Sequence, residues 1–340
     1  MYLPTPVRGA ARGEALIPTD NKAADGLAQD RAPTVHAIVV THRGVAWVAD
    51  CLRCLRAQRP RARIEIVVVD NGSADGTAAL LQRDFADVTV LRLARNEGYG
   101  PANNVALRRA LAAGADFVAL VNDDVEVEQG WLQALLDAAT AHPKAGLFCG
   151  TLLFRDEERV NSTGVSIDAL GRARDRDFGV LRTQVRRDDG PVTAVTGGAA
   201  LLRCDLLRRI GVFDPAYFAY YEDVDLSLRA ARTGALCWYV AGAVARHRFA
   251  ATSGSGSPLQ RFLLGRGHLR TLALHQAPVR ALALVPLTAA YRVGVKAPLE
   301  LLRGHPALAF AELRAALSGS AAAFAALPRR WRRIPRGAEP

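Results

Sequence analysis

Apolar and polar positions along the first half of the chain follow two alternating periods. Residues 35–40, 64–69, 88–93 and 117–121 are short apolar-rich runs. Runs of this length predict strands, and the one at 64–69 suits a strand buried on both faces. Between them the apolar spacing lengthens to three and four. Val45, Val48, Leu52 and Leu55 predict a helix over 45–57. Further helices are predicted over 77–83, 101–113 and 131–141, with Pro101 suited to a first turn. Four strand–helix alternations with short joins predict a mostly parallel, doubly wound α/β sheet.

The second half is less regular. Residues 155–192 are rich in Arg, Asp and Gly and read as a long loop or small hairpin. A strand is predicted over 195–203, a helix over 222–233, and two short strands over 236–240 and 243–247. Beyond Pro258 the pattern is helical and Arg-rich, punctuated by prolines at 278, 286, 298 and 306. Residues 1–33 carry four prolines, three glycines and mixed charge without apolar periodicity, and read as a disordered lead-in. The domain reading is therefore a lead-in at 1–33, an α/β domain at 34–257 and a C-terminal helical, basic region at 258–340.

Composition changes this picture in two places. With 50% apolar and 23% charged residues, the chain can bury a sizeable core, which excludes global disorder. The net charge of +11 is concentrated: residues 266–340 hold twelve Arg or Lys against three Glu, so the appendage, not the body, is basic. The cysteines at 51, 54, 149, 204 and 237 are odd in number and show no framework, which predicts reduced thiols and a cytoplasmic compartment. Cys51-x-x-Cys54 falls in a helical pattern without a second ligand pair and reads as structural. No apolar leader is evident, and the longest charge-free run of the tail, 315–328, is too short to span a bilayer.

The candidate chemistry sits where each early strand ends. The clusters are Thr41-His42-Arg43, Asp70-Asn71-Gly72-Ser73, Arg95-Asn96-Glu97-Gly98-Tyr99-Gly100 and Asn122-Asp123-Asp124. One such cluster is an ordinary turn or helix cap; four at one end of a parallel sheet describe a crevice. Asp70 can accept from a base imide N–H, and Asn96 can pair with the same moiety. The glycines match neither the dinucleotide fingerprint nor a phosphate loop. Adjacent Asp123 and Asp124 repel each other unless a cation or donor compensates; a divalent cation on a diphosphate does so, and capping of the helix at 129–141 is the alternative. Glu222, Asp223 and Asp225 open a helix, either as favourable dipole charges or as a site for a general base. His247 ends an apolar run and is structural unless it lies near Asp124.

These pieces, together with Asn103-Asn104, Thr196-Gly197-Gly198-Ala199 and Phe213-Asp214, resemble in order a family 2 glycosyltransferase of the rhamnosyltransferase-like branch. The resemblance covers about residues 35–275. It implies a GT-A fold, a nucleotide-diphosphate sugar donor, Mg²⁺ or Mn²⁺, and inversion at the anomeric carbon. It implies Asp223 as catalytic base, and Asp124 with His247 at the metal. It implies Asp70 as nucleobase contact beside Thr41 and Asn96, with Asn71, Gly98, Asn103, Asn122 and Asp123 also on the donor side. Gly197, Gly198 and Glu222 fall on the acceptor side. Arg266 stands where relatives carry Arg-Asn over the diphosphate, although Gly267-His268 follows it here. Rhamnose from dTDP-rhamnose or a hexose from a UDP-sugar is the implied donor, and a glycan or polyprenyl-diphosphate-linked molecule of the bacterial surface the implied acceptor.

In the tail, Leu284, Leu287, Tyr291, Val295, Leu299 and Leu302 form one apolar stripe, with Arg280, Arg292, Lys296 and Arg303 off it. An interfacial helix on anionic lipid at the inner membrane face is one reading, supported by Arg329-Arg330-Trp331-Arg332-Arg333; a helical cap packed on the α/β domain is the other. No motif supports nucleic-acid binding. The rival functions are a sugar-phosphate nucleotidyltransferase, which would want a Gly-rich, Lys-bearing loop after the first strand, and a non-catalytic nucleotide-sugar-binding protein.

Overall fold

The computed structural model describes residues 31–248 and 256–332, those from 328 on by their backbone alone. The lead-in thus lies outside the described residues up to position 30. The α/β part runs β1 (Thr34–Thr41), α1 (Val48–Ala57), β2 (Arg63–Asp70), α2 (Thr77–Asp84), β3 (Thr89–Arg92), α3 (Tyr99–Ala112), β4 (Phe117–Asn122), β5 (Val125–Val127) and α4 (Trp131–Ala141). There follow β6 (Ala145–Phe154), β7 (Val160–Ser162), β8 (Val165–Ile167), β9 (Ala173–Asp175), β10 (Gly190–Val192), β11 (Ala199–Arg203), α5 (Cys204–Ile210), α6 (Glu222–Ala231) and β12 (Leu236–His247).

The main sheet has the order β10-β12-β6-β11-β4-β1-β2-β3. The strands β3, β2, β1 and β4 are parallel, as the early alternation predicts. Side-chain alternation divides the core. Val35, Ala37 and Val39 of β1 pack with α1, α2 and α4 on one face, while Ile38 and Val40 pack with α3, α5 and α6 on the other. The sheet then turns mixed, because β11 runs antiparallel to both β4 and β6.

Three elements differ from expectation. The ten-residue β6, buried almost throughout, was predicted as no element: Gly146 and Gly150 interrupt its apolar run. The two strands predicted over 236–247 are one strand, β12, whose register on β6 shifts between Val240 and Val244. The segment 155–192 holds the expected small hairpin, β8–β9, and beyond expectation two further strands, β7 and β10, that join the main sheet.

The C-terminal region is α7 (Pro258–His275), α8 (Pro278–Tyr291), a π-helical turn (Arg292–Lys296), α9 (Ala297–Leu302) and α10 (Pro306–Arg332). Four of the prolines fall at or near helix starts, where the missing N–H costs nothing. Ser257 caps α7, its hydroxyl accepting from Gln260 N at 3.2 Å. The close approach of α7 and α10 depends on small residues: a Cβ at Gly265 would lie 2.5 Å from Arg292 Nη1 and 2.6 Å from Ala315 Cβ. Buried Glu312 of α10 pairs with Arg292 and receives Arg261 and Lys296 at 3.4 Å each. Of the predicted apolar stripe only Leu284 packs inward, against the core of α7 and α10. Leu287, Tyr291, Val295, Leu299 and Leu302 are exposed, while α8 buries Ala281 and Val285 instead. The cluster at 329–333 falls outside the residues whose side chains are described.

Candidate active site

The carboxyl ends of β1, β2 and β4 form the floor. Thr41 and Asp70 are register partners, both fully buried. Asp70 Oδ1 accepts from Ser73 N at 2.9 Å. Its Oδ2 accepts no hydrogen bond among the described residues, with Arg92 Nε 3.4 Å away. Asn71 ties two strand-end loops together: Nδ2 donates to Asn96 Oδ1 (3.0 Å) and the Gly98 carbonyl (3.2 Å), and Oδ1 accepts from Glu97 N (2.9 Å). Gly98 has φ +92°, and a Cβ there would overlap the Phe218 carbonyl oxygen. That same oxygen accepts from Tyr99 N at 2.6 Å, so glycine is what lets this loop press against the approach to α6.

Asn122, Asp123 and Asp124 occupy the bend between β4 and β5. They do not cap α4, whose N-cap is Gly130. Asp123 is buried beneath the bend. Burial and the adjacent Asp124 charge push its pKa to about 7, against the Thr41 hydroxyl and Trp47 indole, which favour the carboxylate. The pairing of β12 with β5 sets His247 opposite Val125 and brings its Nε2 to 3.2 Å from Asp124 Oδ1. His247 Nδ1 lies 3.1 Å from Asn161 Oδ1. The ring thus spans the Asn161 amide and the Asp124 carboxylate, and either an Nε2–H donated to the carboxylate or a cation held between the two satisfies the second contact.

Across the cleft, α6 begins after two consecutive non-glycine residues in the left-handed region, Tyr220 (φ 66°) and Tyr221 (φ 72°). Backbone of this kind is costly and turns the chain sharply into the helix. Asp223 Oδ2 accepts from Gly197 N and Oδ1 from its neighbour Val224 N, both at 2.8 Å. The Gly197 carbonyl in turn accepts from Tyr99 Oη at 2.7 Å. Glu222 is buried, and its Oε2 has no partner among the described residues. Burial, then the charges of Asp223 and Asp225, push Glu222 up to about 8; burial also raises Asp223. Two backbone donors favour the ionised form at Asp223, so Glu222 keeps the shared proton. Asp225 is a different case: His275 Nε2 and Arg229 Nε both reach it at 2.8 Å and hold it near 2, so it anchors α6 and lies outside the cleft.

One cleft of about 680 Å³ gathers most of the predicted residues: Asn71, Asn96, Gly98, Asn122, Asp123, Asp124, Gly197, Gly198, Glu222, Asp223 and His247 all line it. Four do not. Thr41 and Asp70 lie one layer below the floor. Asn103 is inside α3 and donates to the Tyr99 carbonyl at 3.0 Å. Arg266 faces a neighbouring groove and donates to the Ala216 carbonyl at 2.8 Å. The cleft also contains His42 and Tyr99, which the strand-end clusters named without a separate role, and Asn161, Arg174 and Asp175, which sequence reasoning passed over. Asp175 stands exposed on the cleft wall. The only signal of these last three was the density of Asp and Arg in 155–192, which resembles a solvated loop. Among the described residues no three His, Cys, Asp or Glu side chains converge as a metal cluster, so Asp124 and His247 stand as a pair. All five cysteines are free thiols, and burial raises the Cys51 and Cys54 thiols above their ordinary value, which fits the structural reading of that pair.

A mixed α/β sheet with paired acids at its strand ends, faced by a helix-borne carboxylate, is the layout of a GT-A glycosyltransferase. The chain belongs to glycosyl transferase family 2, whose family model matches residues 36–211. It is similar to the N-acetylglucosaminyl-diphospho-decaprenol L-rhamnosyltransferase of Mycobacterium tuberculosis, with 30% identity over 220 residues, 59% of this chain and 70% of that one. It is similar to galactofuranosyltransferase GlfT1 of Mycolicibacterium smegmatis, with 28% identity over 208 residues, 59% of this chain and 66% of that one. Among solved structures, mannosyltransferase PcManGT from Pyrobaculum calidifontis, in complex with GDP-Man and Mn²⁺, shares the fold at a TM-score of 0.52 and 19% identity, covering 90% of this chain and 89% of its own. GalNAc-T7 with UDP, GalNAc and Mn²⁺ does so at a TM-score of 0.57 and 15% identity, covering 72% and 48%. The chain is therefore a glycosyltransferase, and the nucleotidyltransferase reading falls.

Proposed function

We propose that this glycosyltransferase moves a sugar, with inversion, from a nucleotide-diphosphate donor to a hydroxyl of a lipid-linked glycan in surface-polysaccharide assembly. The observation that carries the reading is the single cleft in which Asp223, held by two backbone N–H groups, faces the Asp124–His247 pair. In the reaction the acceptor O–H gives its proton to the Asp223 carboxylate as its oxygen bonds to C1. The bond from C1 to the diphosphate oxygen breaks, and its electron pair leaves with the nucleoside diphosphate. Glu222, protonated beside Asp223, leaves that carboxylate to act alone. Asn71 and Asn96 edge the nucleobase slot above Asp70, whose open Oδ2 suits a base N–H once the floor loop yields.

Asp124 and His247 would hold the divalent cation, Mg²⁺ or Mn²⁺. One carboxylate and one imidazole leave the remaining positions to diphosphate oxygens and water, which is how such ions bind substrate phosphates. The ion would neutralise charge on the leaving diphosphate. The mycobacterial relative's name supports rhamnose as the sugar moved and a prenyl-diphosphate-linked acceptor, and dTDP is the nucleotide that the sequence resemblance implies for it. The outward apolar residues of α8 and α9 beside Arg280 and Arg303 support work at an anionic membrane surface on the cytoplasmic side. No helix among the described residues is long and apolar enough to cross a membrane.

The test is a thermal-shift series with dTDP-rhamnose, UDP-galactose, UDP-glucose and GDP-mannose, each with and without Mn²⁺. Stabilisation that needs Mn²⁺, is strongest with dTDP-rhamnose and is lost in Asp124→Asn is the expected result. Equal stabilisation with and without Mn²⁺ would remove the cation from the proposal.

A further inference from the structure

A second hollow adjoins the cleft. It is a groove of about 440 Å³ whose walls include Pro215, Phe218, Leu259, Phe262, Leu263 and Arg266. Phe218, Leu259 and Leu263 also line the main cleft, so the two hollows share a wall. Leu259 is half exposed, and Phe262 is braced from α10 by the Arg314 guanidinium 4.6 Å from its ring centroid. Among the described residues Arg266 is the one charged residue of this lining. It is half-buried, with Arg270 and Asp214 both near enough to act on its charge, and those two are already paired with each other at 2.7 Å. Its own hydrogen bond goes to a neutral carbonyl, that of Ala216. A half-buried cation on an apolar wall, its nearest acid already paired with another arginine, marks a place for an anion attached to an apolar body.

We infer that this groove seats the lipid side of the acceptor, a prenyl chain along Leu259, Phe262 and Leu263 with its diphosphate against Arg266. The inference rests on the glycosyl-transfer reading above. The sugar borne by that diphosphate would cross the shared wall at Phe218 and offer its hydroxyl to Asp223. Arg266 then serves the acceptor and not the donor, whose side of the cleft carries Asn71, Asn96 and Asp124. The charge and the apolar walls are both needed, which separates this occupant from a free phosphate and from an uncharged lipid.

The experiment is calorimetric titration of the full chain with farnesyl diphosphate below its micelle concentration, with inorganic diphosphate and farnesol as partial probes. Each is repeated in the presence of saturating dTDP. Farnesyl diphosphate should bind with dTDP already in place, and at least tenfold more tightly than either partial probe. Arg266→Gln and Phe262→Ala should each weaken it tenfold or more while leaving dTDP affinity unchanged; Phe262 lines this groove and not the main cleft, and is only half-buried. Farnesyl diphosphate that competes one-for-one with dTDP would overturn the inference, as would unchanged binding in both variants. Inorganic diphosphate binding as tightly as farnesyl diphosphate would overturn the lipid occupant. If instead dTDP, UDP and GDP all fail to bind while Arg266-dependent binding of farnesyl diphosphate persists, the donor reading fails and the groove stands.

Discussion

At the scale of single residues, the pair Glu222–Asp223 decides both chemistry and pH behaviour. Asp223→Asn keeps the shape and loses the proton acceptor; it should bind donor as the parent does and lose turnover by about 10²–10⁴-fold, read by single-turnover kinetics. Near-parental turnover would remove Asp223 from the role. Glu222 makes the opposite kind of prediction. Its folded pKa of about 8 lies above the ordinary value of 4.5, so the folded state holds a proton that the unfolded chain releases between those values. Stability therefore falls as pH rises through that window, by a few kcal/mol in all. Glu222→Gln should flatten that dependence and gain stability relative to the parent from pH 5 to pH 9, measured by urea unfolding. Asp123, Asp124 and Asp223 were legible in the sequence because each is a short polar motif beside a strongly patterned element. Asp175 and Asn161 were not: they sit on three-residue strands, too short for any periodicity, and reach the cleft only because their segment folds over it.

At the scale of elements, local pattern identified the parallel half and stumbled where two neighbouring strands, β6 and β12, approach closely. Gly150 of β6 lies where a Cβ would strike the backbone of Ala243, beside the register shift of β12. The same glycine that permits the approach hid the strand, since interior glycine reads as a break. Gly265 plays a similar part between helices. A methyl group there must displace Arg292, the buried partner of Glu312, or push Ala315 and with it α10. Gly265→Ala should cost about 1–3 kcal/mol, seen as a lowered thermal midpoint, despite alanine's better helix propensity. A neutral or raised midpoint would mean that α7 and α10 pack with slack.

At the scale of the whole molecule, periodicity showed that the tail carries an apolar stripe but not which way it faces. That depends on what α10 covers, and α10 covers α7 and leaves most of the stripe outside. Val279 (79% exposed), Leu282 (68%) and Leu302 (86%) stand on the same helical region as Arg280 and Arg303. Apolar area beside excess positive charge suits insertion into an anionic interface. The chain should co-float with phosphatidylglycerol vesicles and not with phosphatidylcholine ones, and replacing Val279, Leu282 and Leu302 together by Glu should abolish flotation without lowering the thermal midpoint. Equal recovery with both vesicle types would count against the membrane surface.

The seam between the parallel and antiparallel halves of the sheet has a consequence for how such an enzyme diversifies. Asn122 N donates to the Gly198 carbonyl at 2.9 Å, so the strand bearing the paired acids and the strand preceded by Gly197, which grips Asp223, are joined rung to rung. The spacing between the two ends of the cleft is thus a matter of ladder register. A one-residue deletion in β11 would move Gly197 by about 3.4 Å and invert the strand's faces. Connections outside the ladder, such as the turns at 168–172 between β8 and β9, carry no such burden. They can lengthen, shorten and exchange residues to suit new sugars and acceptors, while the sheet works as a fixed jig that keeps any successful variant at the same gauge.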